Sequence, residues 1–180
     1  MQPDVAICSP GRRILRVATK NNDALVALPS FKGRLVARDT TRVAAVAAFV
    51  RETLASAEED ATGAGARAAT TADTPGAAAA CAVCGGHCCR KGGDTGYLDA
   101  DDFVRIRRTL PQLTDRQIEA AYVAAVAGET YEGSCIFHTA KGCSLPRALR
   151  SRLCLAYYCL ALKNVIAGLT PVAQKPDPDR

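Results

Sequence analysis

The stretch Cys81-Ala82-Val83-Cys84-Gly85-Gly86-His87-Cys88-Cys89 is the part of the sequence on which the fold depends most. It supplies four of the eight cysteines between residues 81 and 159, whereas the ninth stands alone near the start of the 180-residue chain. The eight are Cys81, Cys84, Cys88, Cys89, Cys135, Cys143, Cys154 and Cys159. Grouped thiols can hold a metal, form disulfides or take part in redox chemistry. The function of the protein depends on which of these uses applies.

The Cys81-x-x-Cys84 spacing suits a metal ion, because two cysteines in a tight turn can bind one ion together. Gly85 and Gly86 allow the backbone to fold back, so that its N–H groups approach the sulfurs. No apolar secretory segment follows the N-terminal charges, so we expect a reducing cytoplasm, with a mitochondrion or another organelle as the alternative. That setting favours metal ligands over a disulfide framework or ordinary buried cysteines.

The number of thiols predicts more than one metal atom. A tetrahedral zinc ion accepts about four thiolates, and neighbouring side chains such as those of Cys88 and Cys89 tend to diverge towards different atoms. Cys154 and Cys159 would lie about 140° apart around an ideal helix, so either the helix bends or the two serve different sites. Two four-thiolate ions, a compact dinuclear site, and one four-iron cluster with thiols left over all fit the count.

The cysteine segments together resemble a known family. Cys81-x-x-Cys84-Gly-x-x-Cys88-Cys89 is followed by Cys135-Ile-Phe-x4-Gly-Cys143-Ser-Leu and then by Cys154-x4-Cys159. With the intervening segment 97–102, this pattern is similar to the YkgJ-type cysteine-cluster family over residues 81–160, about half of the chain. The Arg-Pro that the family usually shows before Cys154 is replaced here by Arg150-Ser151-Arg152-Leu153.

The resemblance implies a zinc- or iron-chelating domain in which all eight clustered cysteines are ligands. It implies no reaction, because most members of the family are uncharacterised. A flagellin lysine methylase group carries a similar cluster that is thought to hold iron and sulfur. An iron–sulfur protein with a redox or protein-modification role is therefore the alternative to a structural zinc protein.

Composition indicates a thin core and a basic N-terminal region. The chain has no Trp, aromatic residues make up 5%, and the formal net charge is +5. A domain with so few large side chains often needs a staple such as a metal. Much of the positive charge lies early, at Arg12, Arg13, Arg16, Lys20, Lys32, Arg34, Arg38 and Arg42. A third hypothesis is therefore an interaction module that contacts RNA or protein through this region. No apolar run approaches the ~18 residues of a membrane span, so no membrane is expected.

We predict a mainly α fold in four parts: a basic extension with one amphipathic helix (1–60), an Ala/Gly/Thr-rich linker (61–80), a helical cysteine-cluster domain (81–169) and a disordered tail (170–180). A short strand is predicted at 24–28, closed by Pro29. Asp39 or Thr40 caps a helix whose apolar stripe is Val43, Val46, Ala47, Val50 and Leu54.

Three further helices are predicted in the cysteine domain. Asp99 caps the first, which carries Phe103, Ile106 and Leu110 on one face and ends at Pro111. Thr114 and Gln117 form a capping box for the second, which carries Ile118, Tyr122 and Val126 and stops at Gly128. Ser144 caps the third, with Pro146 in its first turn and Leu149, Leu153, Tyr157, Leu160 and Ile166 along it.

The two histidines, His87 and His138, lie inside the cysteine segments and are candidate ligands. With eight cysteines available we expect them to support the site or lie exposed. No partner pattern for a nucleophilic serine is present, since both histidines belong to the cysteine segments. We therefore expect a metal-binding protein rather than an enzyme, with zinc favoured as the metal and a structural role, because a full thiolate set leaves no open coordination position.

Overall fold

The computed structural model describes residues 5–9, 12–18, 23–29, 31–57, 84–157 and 159. These residues contain four α-helices and seven short strands, with 3-10 turns at His87–Lys91 and Arg147–Leu149. The helices are α1 (Thr40–Ser56), α2 (Ala100–Thr109), α3 (Asp115–Ala125) and α4 (Arg152–Ala156). The strands are β1 (Val5–Ser9), β2 (Arg12–Ala18), β3 (Asp23–Pro29), β4 (Leu35–Ala37), β5 (Glu129–Tyr131), β6 (His138–Thr139) and β7 (Gly142–Cys143). Three of the four predicted helices are confirmed as α1, α2 and α3, but helices and small sheets share the described residues, which does not support the description mainly α.

The strands form three separate antiparallel sheets. β1, β2 and β3 make a three-stranded meander, and the strand predicted at 24–28 is confirmed as β3. β4 pairs with β5, which is nearly a hundred residues further along the chain, and β6 pairs with β7 in a small hairpin. The last two pairs were missed because strands of two or three residues give no period-2 pattern in the sequence. They matter for the site, since β7 ends on Cys143.

Helix α1 begins where its capping residue predicts. The Asp39 carboxylate accepts a hydrogen bond from the Thr41 N–H at 2.8 Å, and the helix ends at Ser56. Val46, Val50 and Leu54 are all buried, so the predicted apolar stripe is confirmed as a packing face. Because these positions recur at helical spacing, burial of one face orients the whole helix against the rest of the protein.

Helices α2 and α3 both carry the predicted N-terminal caps. In each helix, the capping side chain accepts a hydrogen bond from the backbone N–H of the third helical residue, whose own side chain accepts one from the backbone N–H of the capping residue. The pairs are Asp99 with Asp102 and Thr114 with Gln117. Asp99 and Asp102 are therefore engaged in helix capping, and together with Asp101 they form ion pairs with Arg152. Phe103 of α2 packs edge-to-face on Tyr122 of α3, with ring centroids 5.7 Å apart.

One hydrophobic core joins α1 to the helices of the cysteine region. Its larger members are Val46, Val50, Leu54, Phe103, Ile106, Ile118, Tyr122, Ile136, Phe137, Leu145 and Leu149. Arg107 of α2 reinforces the join, because its guanidinium donates to the carbonyls of Leu54 and Ala57 at 2.8 Å and is paired with Asp115. The predicted linker at 61–80 and tail at 170–180 lie outside the described residues.

The long helix predicted from Ser144 onward is wrong. The Ser144 hydroxyl donates to the Ala125 and Phe137 carbonyls instead of capping a helix. A 3-10 turn follows, Arg150 adopts extended backbone angles (φ −72°, ψ 150°), and Ser151 caps the short α4. The predicted positions Leu160 and Ile166 lie outside the described residues. The helix is interrupted because the hydrogen-bonding groups of this segment are used for tertiary contacts.

Several arginines of the predicted basic extension are paired with acidic or carbonyl groups. Arg34 pairs with Glu132, and Arg42 donates to Asp94 and to the Ser134 carbonyl. Arg38 donates to the Val123 carbonyl at 3.3 Å. These contacts tie the region around β4 and α1 to the cysteine region. A separate observation concerns membranes: none of the helices in the described part is long and apolar enough to cross a bilayer.

Candidate metal centre

Four separate chain segments carry the described members of the eight-cysteine set. Cys88 and Cys89 lie in the 3-10 turn that follows Cys84 and the two glycines. Cys135 precedes β6, and Cys143 ends β7. The remaining two lie in and just beyond α4: Cys154 and Cys159. All seven carry free thiols, whereas Cys81 is outside the described residues. Because α4 ends at Ala156, Cys154 and Cys159 do not share one continuous helix, in agreement with the expected bend.

The turn at Gly85 and Gly86 brings backbone N–H groups to the first thiol. Both glycines have positive φ, 67° and 87°, which a side chain would strongly disfavour. Burial raises the pKa of Cys84, while hydrogen bonds from the His87 and Gly86 backbone N–H groups oppose that rise. These N–H groups therefore point at the Cys84 sulfur, as the sequence predicts. A Cβ on Gly86 would also lie 2.7 Å from His138 Nε2, so the close packing here requires glycine.

Cys89, Cys135, Cys143 and Cys154 form one group of neighbouring thiols. Burial raises the pKa of Cys135 to about 12, and the charges of Cys143 and Cys154 add to this rise. The Cys135 N–H donates to the Cys89 carbonyl at 3.0 Å, which joins two of the segments. The Cys154 thiol donates to the Gly96 carbonyl at 3.8 Å, and a Cβ on Gly96 would lie 3.9 Å from Cys135 Sγ. Gly96 thus marks the place where α4 and the loop at Cys135 meet.

Cys84, Cys88 and Cys159 form a second group. The pKa of Cys84 is raised first by burial and further by the charges of Cys88 and Cys159. Cys88 joins the two groups, because a hydrogen bond from the Cys89 thiol lowers the pKa of Cys88 to about 6. The same hydrogen bond raises the pKa of Cys89, and burial raises it further. Electrostatic interactions therefore link the seven thiols into one set, and among those whose pKa is shifted only that of Cys88 is lowered.

Arg150 supplies positive charge beside this cluster, a role that no pattern in the sequence predicted. Its guanidinium Nε donates to the Leu145 carbonyl at 2.9 Å and its Nη2 to the Cys143 carbonyl at 3.4 Å. The hydrogen bond from the Cys89 thiol is the main cause of the lowered pKa of Cys88, and the charge of Arg150 lowers that pKa further. The same charge opposes the rise in the pKa of Cys154 that burial causes. The positive charge of an arginine favours the ionised, thiolate form of a nearby cysteine. Its role follows from the turn at 147–150, which the sequence did not predict.

His138 supports the cluster and has no ring nitrogen left for a metal. It is fully buried, with Nε2 2.6 Å from the Gly85 carbonyl and Nδ1 2.7 Å from the Ser134 hydroxyl. Because a carbonyl only accepts, Nε2 carries the proton. Burial lowers the pKa of His138, which favours the neutral ring, and the Ser134 hydroxyl beside Nδ1 also donates to the Cys89 carbonyl at 3.0 Å. His138 therefore fixes the Gly85 peptide, a supporting position of the kind expected from the sequence.

His87 lies beside the cluster in a different way. Within the described part of the chain, its Nδ1 is buried and has no hydrogen-bond partner. Burial, and then the charge of Arg90, lowers the pKa of His87, so the ring is neutral at pH 7. A neutral imidazole can act as a metal ligand, but His87 points to no described group that would share an ion with it.

The described thiols lie near one another but are not arranged around a common point, as the ligands of a metal ion would be. In residues 31–57, 84–157 and 159, no three His, Cys, Asp or Glu side chains are close enough together to hold a metal ion. The donor chemistry nevertheless fits a soft or borderline metal, because the seven free thiols interact electrostatically with one another and thiolates are ligands of such metals. Binding an ion requires these side chains to close in from the positions described.

Comparison of the chain with protein-family models, with curated proteins and with solved structures finds no match in any of the three. Membership of the YkgJ-type family therefore stays a prediction that depends on the cysteine spacing. The functional argument has to be made from the thiol cluster itself.

Proposed function

We propose that this chain is a metal-binding protein of the YkgJ-like cysteine-cluster type, in which zinc held by the eight cysteines stabilises the fold. The observation that carries the proposal is the continuous neighbourhood of seven free thiols drawn from four chain segments. The eighth ligand, Cys81, is assigned from the Cys-x-x-Cys spacing alone. Free thiols at this density in a reducing compartment are typical of metal sites.

The small size of the surrounding elements supports a structural role for the metal. The hairpin of β6 and β7 pairs two residues with two, and α4 has five residues. Elements this short bury too little apolar surface to hold themselves in place. A metal ion bound by residues of all four segments would supply the missing cross-links, and its binding energy would then be folding energy.

The two groups of thiols suggest how two ions would be shared. One group, Cys89, Cys135, Cys143 and Cys154, has the four thiolates that a structural zinc requires. The other contains Cys84, Cys88 and Cys159, and Cys81 would complete it. Cys88 and Cys89 would then serve different ions, which requires their thiols, hydrogen-bonded to each other here, to separate when metal binds. This division accounts for all eight ligands without calling on either histidine.

Metal analysis of the full chain, purified without added metal, tests the proposal. We expect about two equivalents of zinc and no visible absorbance. Removal of the metal by a chelator should reduce the helical circular dichroism and the thermal midpoint, and added zinc should restore both. Purified protein that holds no metal, or that keeps its circular dichroism and midpoint after the metal is removed, would contradict a structural metal.

A pair of matched serine variants makes the test specific to the cluster. Cys135→Ser removes a buried thiol that adjoins three others, and we expect it to lower the bound metal by about one equivalent. Cys8→Ser removes the cysteine that lies outside the eight-cysteine set, so the metal content of this variant should equal that of the wild type. Equal metal content in the two variants would argue against Cys135 as a ligand.

An iron–sulfur cluster is the second candidate, and the adjacent pair Cys88 and Cys89 favours it, since the two thiols contact each other across one peptide. Anaerobically purified protein would then be brown, with sulfur-to-iron absorbance in the visible range, and would contain iron and acid-labile sulfide. Colourless protein with stoichiometric zinc would exclude this alternative.

A further inference from the structure

Tyr97 has a backbone conformation that is unusual for its residue type. Its φ is +62°, and among the described residues it is the only non-glycine with a positive φ. The turn that imposes this angle is closed on both sides, by the Gly96 N–H donating to the Gly92 carbonyl and the Leu98 N–H donating to the Thr95 carbonyl. A side chain disfavours this region, and glycine would adopt it freely. A tyrosine kept there indicates that the side chain has a use.

The side chain of Tyr97 lies against the thiol cluster. A Cβ built on Gly92 would be 3.2 Å from Tyr97 Cε2 and 3.0 Å from Cys135 Sγ, so ring and thiol lie on the same side of Gly92. At its other end, the Tyr97 hydroxyl donates to the Cys88 carbonyl at 3.3 Å. The phenol thus extends from the loop at Cys135 to the peptide between Cys88 and Cys89.

The electrostatics agree with this placement. The pKa of Tyr97 is raised first by burial, and then by the negative charges of four cysteines from three segments. These are Cys154, Cys135, Cys89 and Cys88. The pKa of Tyr122 is also raised by burial, but no cysteine contributes to that rise. The half-buried ring therefore covers part of the cluster on the side where Cys88 is exposed.

We propose that Tyr97 is a positioning residue of the thiol centre: its ring shields the bound metal from solvent, and its hydroxyl fixes the Cys88–Cys89 peptide. This inference rests on the proposed function, because it assigns Tyr97 a task only where the thiols hold a metal. The backbone angle sets the direction of the Cα–Cβ bond of Tyr97, and the hydrogen bond from its hydroxyl to the Cys88 carbonyl holds the ring beside the cluster. Tyr97 then governs how fast metal leaves the site more than how stable the fold is.

Zinc release from the zinc-loaded full chain to a chromophoric chelator tests the proposal. Tyr97→Phe keeps the ring and loses the hydrogen bond to Cys88, so release should be roughly 2- to 10-fold faster than in the wild type. Tyr97→Gly relieves the backbone and removes the shield, so release should be faster still. The near-ultraviolet absorbance change on metal loading should be present in the wild type and reduced in Tyr97→Phe.

Tyr122→Phe is the matched control. It also deletes a tyrosine hydroxyl that donates to a backbone carbonyl, that of Leu149, but Tyr122 lies in the apolar core. It should lower the thermal midpoint and leave zinc release at the wild-type rate, the opposite of Tyr97→Phe. Wild-type release rates in Tyr97→Phe would overturn the role of the hydroxyl, and wild-type rates in both Tyr97 variants would overturn the proposal as a whole. A wild-type chain that binds no metal would instead refute the proposed function.

Discussion

Substitution of Gly92 by alanine should disturb the thiol cluster through contact alone. Gly92 has φ −73° and ψ −18°, angles that alanine adopts without strain. A Cβ at this position would nevertheless lie 2.6 Å from Cys135 Cβ and 3.0 Å from Cys135 Sγ. Atoms this close must move apart, so any loss of stability reports the packing of Gly92 on Cys135 and not a change in backbone preference.

The neighbouring hydrogen bonds set the size of the effect. Cys135 is held by its N–H bond to the Cys89 carbonyl at 3.0 Å, and the Ile136 N–H donates to the Gly93 carbonyl at 2.9 Å. Because both bonds oppose retreat of the loop, we expect the usual cost of overpacking, about 1–3 kcal/mol. The lower entropy of the unfolded alanine chain offsets about 0.4–1 kcal/mol of this cost. The net loss should be at most about 2.5 kcal/mol, a fall of up to several degrees in the midpoint.

Urea unfolding of Gly92→Ala and Gly128→Ala, in parallel with the wild type, measures this difference. Gly128 is the matched control, because its φ is not positive and a Cβ there meets no atom within 4 Å. We expect Gly128→Ala to gain about 0.4–1 kcal/mol from the unfolded state. Compared at equal metal content, Gly92→Ala should thus lose stability and Gly128→Ala should gain it. A Gly92→Ala variant as stable as Gly128→Ala would refute the close approach of Gly92 to Cys135.

Three further predictions concern the frame around the cluster. Tyr122→Phe should lower the free energy of unfolding by about 1–3 kcal/mol, because the buried Leu149 carbonyl loses its 2.5 Å partner, as denaturant titration would show. Arg107→Ala should cost about 2 kcal/mol through the carbonyls of Leu54 and Ala57, whereas Arg51→Ala, which breaks an exposed ion pair, should change the stability much less. Burial raises the folded pKa of Asp102 above 3.8, so the folded state holds that proton longer than the unfolded state. The stability of the wild type relative to Asp102→Asn should therefore fall as pH rises from about 4, and a constant difference would contradict this assignment.

Local interactions explain which parts of the fold the sequence predicted. The caps at Asp39, Asp99 and Thr114 each join groups two or three residues apart, and the buried stripe of α1 repeats at helical spacing. Such contacts form wherever the local sequence allows them, so they are visible without the fold. The same reasoning failed from Ser144 onward, because the hydroxyl of that residue is taken by the Ala125 carbonyl, nineteen residues away.

For the candidate site, the sequence by itself determined which thiols are available, eight cysteines at short spacings, and it placed glycines after Cys84 where the backbone turns towards the sulfur. Only the tertiary structure decided how those thiols are grouped and what surrounds them. Arg150, Tyr97 and the buried His138 reach the cluster through contacts that span from nine to more than fifty residues. Residues that far apart become neighbours only after the core between the helices has formed, since the burial of apolar faces, and not the spacing of polar residues, brings the chain segments together.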